Sequence, residues 1–254
     1  MAGQRRMKRN NIPAKIIDAI LYIFFPNRCP VCDEILEPEI VGRQYIHNAC
    51  RRKLIPVGKT VCMHCGRPVK EEWEYCFDCG KKNRNQSFLQ GKSLFTYQGS
   101  VRKTMYRLKY SNRREYVNFF VEEAVLEYGK WMKQNGIEVI IPVPMYGPKQ
   151  RVRGYNQAEC FAKALSEKIG IPMEKNLLKR IRDTAPQKEL NDIQRKNNLK
   201  SAFHCEKNIV QYTKVLLVDD IYTTGSTADA VTEELIRVGV KEVFFLSMCI
   251  GKGM

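Results

Sequence analysis

The chain is poor in acidic residues and lacks an apolar run of the length needed to cross a bilayer. It contains 27 Asp and Glu against 43 Lys and Arg, a formal net charge of +16. This balance favours polyanionic partners such as nucleic acid or phosphorylated small molecules, although solvated surface lysines would give the same count.

The longest apolar run near the start, residues 16–25, follows a basic stretch and imitates a signal peptide. Asp18 interrupts the run, no small-residue cleavage site follows it, and a span needs about 20 residues. We therefore expect residues 1–27 to form a basic start and a short amphipathic helix. We also expect the chain to have no transmembrane segment and to be cytoplasmic. Weak binding of this helix to a membrane surface is the alternative.

Histidine is rare, with three residues, whereas cysteine is plentiful, with ten. Four pairs of potential ligands, each pair separated by two residues, fall early in the chain, and four pairs suit two tetrahedral zinc sites. Without an expected secretion signal, such pairs favour metal over disulfides. The predicted ligands are Cys29, Cys32, His47, Cys50, Cys62, Cys65, Cys76 and Cys79.

Sequential pairing of these ligands places the first four on one structural zinc ion and the last four on another. Crossed pairing stays open, and iron–sulfur ligation is a second alternative. His47 is the weakest of the eight predicted ligands. His64, inside the third pair, is expected to be exposed rather than ligating.

The remaining pattern divides the chain into a zinc module at 28–82, a linker at 83–92 and a larger domain at 93–254. In the larger domain, apolar β-type segments alternate with helical periodicity, which predicts an α/β fold with a mostly parallel sheet. The expected strands are 93–97, 139–144, 215–218 and 243–249, and the expected helices start near Ser100 and cover 115–134, 155–169 and the stretch after Thr227.

One segment carries most of the functional information. An apolar strand, Val215–Val218, is stopped by two carboxylates and followed by a hydroxyl- and glycine-rich loop that leads into a helix. The start of a helix presents backbone N–H groups and a positive dipole end to an anion, so this loop suits a phosphate. Adjacent carboxylates suit the vicinal hydroxyls of a ribose. An ordinary strand–helix connection with a Ser or Thr cap is the alternative.

The segment VLLVDDIYTTGST resembles the 5-phosphoribosyl-1-pyrophosphate (PRPP) motif of type I phosphoribosyltransferases. This resemblance implies that Asp219 and Asp220 hold the ribose hydroxyls and stabilise positive charge at C1, and that PRPP binds with Mg²⁺. It also implies that the 5′-phosphate is held by Thr223, Thr224, Gly225, Ser226 and Thr227.

Pyrophosphate release in such an enzyme requires fixed donors and cations. The segment after Pro144 offers Lys149, Arg151 and Arg153, and a polar stretch at 180–200 would be the mobile flap of the same fold, with Gln187 and Arg195 as candidates. The alternatives are an exposed basic loop and a solvated linker.

Three segments in order, PVPMYGPKQRVRGYNQAE, RIRDTAPQKELNDIQRKNNLKSAF and DDIYTTGST, together with the double zinc ribbon, resemble the ComF family and its ComFC-type members. His47 departs from the cysteine more usual there. The resemblance implies a role in natural transformation, the uptake of single-stranded DNA, and partners such as that DNA and a helicase-like competence protein. It does not supply an acceptor substrate.

Two functions follow from these observations. The first is a phosphoribosyltransferase, a pentosyl-transferring enzyme. The second is a non-catalytic module that responds to PRPP or a nucleotide and binds single-stranded DNA or protein through the zinc ribbon. For the second, the ribbon offers the aromatic residues Trp73 and Tyr75 and the basic residues Arg51, Arg52, Lys53, Lys59 and Arg67.

Overall fold

The computed structural model describes residues 26–37, 44–80, 87–183, 202–205 and 211–252. The predicted N-terminal helix and the flap candidates Gln187 and Arg195 lie outside these residues.

A four-stranded parallel sheet forms the centre of the larger domain, with the strand order β1–β6–β5–β2. A separate antiparallel pair joins β3 to β4. The sheet and its covering helices confirm the predicted α/β class. The strands are β1 (Gln90–Thr96), β2 (Val139–Pro142), β3 (Leu178–Arg180), β4 (Phe203–Cys205), β5 (Lys214–Tyr222) and β6 (Glu242–Ile250).

Among the described residues, two short helices belong to the zinc module, and five helices and a 3₁₀ turn at Arg114–Tyr116 belong to the larger domain. Helices lie between β1 and β2 and between β5 and β6, as crossover connections between parallel strands require. The helices are α1 (Asn48–Arg51), α2 (Phe77–Gly80), α3 (Gly99–Tyr110), α4 (Val117–Gln134), α5 (Gly147–Arg153), α6 (Gln157–Ile169) and α7 (Ser226–Arg237).

Two hydrophobic cores lie on the two faces of the sheet, because the central strands are apolar on both sides. Leu216 and Val218 of β5 belong to the core that contains α4 and α6. Val215 and Leu217 belong to the core that contains α7 and the β3–β4 pair. All four side chains are fully buried, so β5 is held rigidly from both sides.

The zinc module pairs with the outer edge of β1. Val57 N–H donates to Leu94 O at 3.0 Å, Thr96 N–H donates to Ile55 O at 2.9 Å, and Gly91 N–H donates to His64 O at 2.6 Å. These bonds satisfy backbone groups that an uncovered edge strand would leave to solvent or to another chain. The module is therefore built onto the sheet.

Several predicted boundaries and environments are wrong. The acidic pair does not stop β5, because Asp219 and Tyr222 still pair with Ser247 and Ile250 of β6. Likewise, β1 begins at Gln90, within the stretch expected to be a linker. The helix expected to start near Ser100 does begin there, at Gly99 after the extended residue Gln98.

His64 is buried rather than exposed, with 1% of its surface accessible. Its ring packs edge-on against Phe88 at 4.2 Å between ring centroids. The prediction failed because nothing in the local sequence shows that β1 covers this knuckle.

Within the part of the chain that the structure describes, no helix has both the length and the apolar character that crossing a membrane requires.

Candidate functional site

The acidic pair lies where β5 emerges from the sheet towards α7. Asp219 Oδ1 accepts a hydrogen bond from the backbone N–H of Asp220 at 2.8 Å. Burial of its carboxyl, together with the negative charge of Asp220, raises the pKa of Asp219 to about 8. The two carboxylates are thus held side by side at the carboxyl end of a central parallel strand, which is where α/β proteins bind ligands.

Two cations face this pair from other elements. Lys109, in the last turn of α3, places Nζ 2.8 Å from Asp220 Oδ2. Burial alone would lower the pKa of Lys109, but the charges of Asp220 and Asp219 and the hydrogen bond to Asp220 together outweigh burial and raise the pKa. Arg180 of β3 lies near enough to Asp219 for their charges to interact, and burial lowers its pKa. Sequence reasoning missed both cations, because each belongs to an element distant in sequence from β5.

The loop after β5 is shaped by a single left-handed residue. Gly225 has φ +81° and precedes the first turn of α7, a backbone conformation that glycine adopts without strain. The hydroxyls of Thr224 and Ser226 are 3.0 Å apart. A small pocket is lined by Asp219 together with Thr223, Gly225 and Thr227. The structure therefore brings Asp219 together with these three loop residues, whereas Asp220 pairs with Lys109 and does not line the pocket.

The predicted pyrophosphate residues lie on α5, a short helix where the sequence suggested a loop. Lys149 is exposed and forms an ion pair with Asp183 at 2.7 Å. The Arg153 guanidinium donates to Gln157 Oε1 at 2.9 Å and lies 5.2 Å above the ring of Tyr110. Arg151 is exposed to solvent. Because Arg153 also interacts with the charge of Lys109, it is the α5 cation placed next to the acidic pair.

Two clusters of potential metal ligands form in the zinc module, and their membership follows the sequential pairing. Within each cluster all ligand atoms lie within 4.8 Å of one another. Tetrahedral zinc with bonds of about 2.3 Å to sulfur needs sulfur atoms just under about 4 Å apart, so both clusters fit the ion. The first is Cys29, Cys32, His47 and Cys50, and the second is Cys62, Cys65, Cys76 and Cys79.

The two clusters differ in burial. In the first, Cys32 and His47 are partly exposed, and Cys32 Sγ lies 3.3 Å from His47 Nδ1. In the second, all four cysteines are buried, and Cys65 and Cys76 bring their sulfur atoms to 3.6 Å. A four-ligand set leaves no open coordination position, so both sites are structural.

Two arginines of the module contact the larger domain, although the sequence suggested only a basic ribbon surface. Arg67 is 4% exposed, pairs with Asp78 and donates from Nη2 to the carbonyl oxygen of Thr223 at 2.6 Å. Arg51 makes a two-pronged contact with Glu123 of α4, at 2.6 and 2.7 Å. Both side chains therefore join the zinc module to the larger domain. By contrast, Trp73 and Tyr75 are exposed, at 50% and 41% of their surface.

Comparison with protein families agrees with this architecture. Residues 20–80 match the model of the double zinc ribbon domain, and residues 156–251 match that of the phosphoribosyl transferase domain. The fold and the site thus define a phosphoribosyltransferase-type domain joined to a double zinc ribbon with two structural zinc sites.

Whole-length relatives identify the family. The chain is 30% identical over 235 residues to competence protein F of Haemophilus influenzae, which covers 87% of this chain and 95% of the relative. It is 29% identical over 227 residues to the DNA utilization protein YhgH of Escherichia coli K12, covering 88% and 97%. It is 25% identical over 224 residues to competence protein ComFC of Bacillus subtilis, covering 83% and 89%. The chain belongs to the ComF family.

We predict that the two zinc sites contribute unequally to stability. Cys76→Ser should lower the melting temperature more than Cys32→Ser, because the second site is fully buried in the core beneath α7, whereas Cys32 is partly exposed. Zinc analysis should find about two ions per chain in the parent and about one in each variant. Equal melting temperatures for the two variants would contradict this ranking.

We also predict a pH-dependent gain in stability for Asp219→Asn. The raised pKa of Asp219 means that the folded state binds its proton more tightly than the unfolded state between about pH 4 and pH 8, so the parent loses stability as pH rises through this range. The advantage of the variant should therefore grow from pH 5 to pH 8, by on the order of 2 kcal/mol in urea unfolding.

Glu138→Gln is the control for that measurement. Hydrogen bonds from the backbone and side chain of Thr213 lower the pKa of Glu138, so this group is ionised in both states above pH 5. Its stability difference from the parent should stay flat between pH 5 and pH 8. A flat profile for Asp219→Asn as well would contradict the assignment.

Proposed function

We propose that this chain binds PRPP and transfers its phosphoribosyl group to an acceptor. The observation that carries the proposal is the arrangement at the carboxyl end of β5, where the acidic pair is followed by the left-handed Gly225 and the start of α7. A ribose bearing a 5′-phosphate matches both halves of this arrangement, because carboxylates accept hydrogen bonds from hydroxyls and the start of a helix binds an anion.

In this proposal Asp219 and Asp220 orient the ribose through its vicinal hydroxyls, while Lys109 holds Asp220 in place. The residues from Thr223 to Thr227 bind the 5′-phosphate through backbone N–H groups and hydroxyls. As the bond from C1 to pyrophosphate lengthens, C1 becomes positively charged, and the nearby carboxylates stabilise that charge.

The departing pyrophosphate needs positive charge on the other side of the ribose. We assign this role to Lys149, Arg151 and Arg153 of α5, with Gln187 and Arg195 as the predicted flap residues. Mg²⁺ bound with PRPP would neutralise part of the phosphate charge. In this scheme 28–82 is the zinc ribbon and 93–254 is the transferase domain. We place the chain in the cytoplasm, because a reducing compartment keeps the zinc thiolates available.

A second candidate function is the binding of single-stranded DNA in natural transformation. It is favoured by one surface: α3 carries four basic and no acidic residues, and its Tyr106 and Tyr110 are each 63% exposed, with ring centroids 5.0 Å apart. Exposed aromatic rings beside cations suit stacked bases next to a phosphate backbone. The Trp73 side of the ribbon is the competing surface. A helicase-like competence protein is the predicted protein partner.

We expect Asp219→Asn/Asp220→Asn to lose PRPP binding by about 100-fold or more, because both carboxyl groups that would hold the ribose hydroxyls are replaced by amides. Calorimetry with PRPP and Mg²⁺ measures the affinity, and pyrophosphate release with candidate bases tests transfer. Glu138→Gln/Glu242→Gln is the matched control, since it removes two carboxylates at the amino ends of β2 and β6. Parent-like PRPP binding by the double aspartate variant would refute the site.

Single-stranded DNA should bind with a strong salt dependence, losing about tenfold or more in affinity between about 50 and 200 mM salt. Tyr106→Ala/Tyr110→Ala should weaken binding by about tenfold or more, because base stacking on both rings is lost, and Tyr106→Phe/Tyr110→Phe should not. Fluorescence anisotropy of a labelled oligothymidylate measures both. A salt-independent affinity would count against this function. If only Trp73→Ala lost binding, the DNA-binding surface would lie on the ribbon.

A further inference from the structure

Arg67 connects the second zinc site to the phosphate loop in a way that the proposed reaction does not explain. It lies two residues after the ligand Cys65, and its backbone oxygen accepts a hydrogen bond from the N–H of the ligand Cys62 at 2.7 Å. Its partner Asp78 stands between the ligands Cys76 and Cys79. The ion pair therefore ties one ligand pair of the site to the other, and zinc coordination fixes where the guanidinium lies.

The other arm of the same guanidinium reaches the larger domain. Nη2 donates to the carbonyl oxygen of Thr223 at 2.6 Å, across 156 residues of sequence. Thr223 is the first residue of the phosphate loop. The planar fork of arginine can hold Asp78 and Thr223 at once in fixed directions, which the single ammonium of lysine cannot.

The direction of the Thr223 carbonyl matters for the residue after it. None of the described peptide bonds is cis, and in a planar trans peptide the C=O and the following N–H point in opposite directions. Holding the Thr223 carbonyl towards Arg67 therefore turns the N–H of Thr224 away from the ribbon. The orientation of the first peptide of the loop is set by a side chain of the zinc module.

The surroundings reinforce this connection. Arg67 is almost completely buried, so water competes little for its bonds. Next to it, His64 packs on Phe88, whose ring is 6.2 Å from that of Tyr222, the last residue of β5 before the loop. The second zinc site, Tyr222 before the loop and Ala228 after it share one packed core.

The first zinc site lacks an equivalent contact among the described residues. Its arginine, Arg51, pairs with Glu123 on α4, in the core on the opposite face of the sheet. Both arginines thus connect the ribbon to the larger domain, but of the two only Arg67 contacts the loop.

We propose that Arg67 is a positioning residue for the phosphate loop, and that the second zinc site, unlike the first, thereby controls binding of the phosphate-bearing ligand. The part of this inference that concerns ligand binding rests on the proposed function. The part that concerns loop order does not, because it can be measured in the ligand-free protein.

The test compares Arg67→Gln with the matched control Arg51→Gln in the full-length, zinc-loaded chain. Hydrogen–deuterium exchange of the peptides covering 219–228 should accelerate about tenfold in Arg67→Gln and stay at the parent rate in Arg51→Gln. The affinity for PRPP with Mg²⁺, and for ribose 5-phosphate, should fall about tenfold in Arg67→Gln alone. Both variants should keep about two zinc ions per chain.

Arg67→Lys should recover part of the loop order, since it keeps the charge and one of the two bonds, and it carries the test if Arg67→Gln loses zinc. Parent-like exchange at 219–228 in zinc-loaded Arg67 variants would overturn the inference, and so would equal acceleration in Arg51→Gln. If the parent itself does not bind PRPP, the proposed function fails, while the exchange rates still decide whether Arg67 orders the loop.

Discussion

The structure depends on how the outer edge of β1 is closed. The helices of a parallel sheet cover its faces and not its edges. An open edge strand would therefore expose a row of unpaired backbone groups. Here Ile55, Val57 and His64 supply hydrogen bonds to β1. Short irregular segments of this kind hold their shape only when something else fixes them, and the two zinc sites do so. The ribbon is therefore part of the sheet's architecture.

The two zinc sites serve opposite faces of that sheet. Cys29 and Cys50 pack into the core with α4 and α6, and the carbonyl groups of Pro30 and Val31 accept hydrogen bonds from Thr104 and Arg107 of α3. The four cysteines of the second site pack into the core with α7. Each ion thus stabilises a different group of helices, and the helices meet the functional site from different directions: α3 supplies Lys109, and α7 begins at the phosphate loop.

Local sequence was sufficient for most features that depend on neighbours along the chain, although it missed the short helix α5. Ligand spacing predicted all eight ligands, including His47, but it left crossed pairing open, and the structure shows the sequential pairing. Apolar segments predicted the strands of the parallel sheet, and the motif around Asp219 predicted which strand end and loop would meet. Contacts between distant segments could not be predicted in this way. Lys109, Arg180 and Arg67 reach the site from α3, β3 and the ribbon, and the burial of His64 depends on β1. The extension of β5 beyond Val218 depends on its pairing with β6. From the sequence alone, two carboxylates after an apolar run predict the end of a strand.

A pair of glycines shows how closely the two halves of the molecule are matched. Gly66, with φ +73°, lies directly after a zinc ligand, and a side-chain carbon there would come within 2.6 Å of the backbone oxygen of Gly91 in β1. Gly91 in turn faces the backbone oxygens of His64 and Cys65, each 3.3 Å from where its own side chain would begin. Main chain meets main chain at this junction, with no intervening layer of side chains to absorb a mismatch. The ribbon is consequently not a transferable unit: grafted onto another domain of this fold, it would need glycine at the same two positions.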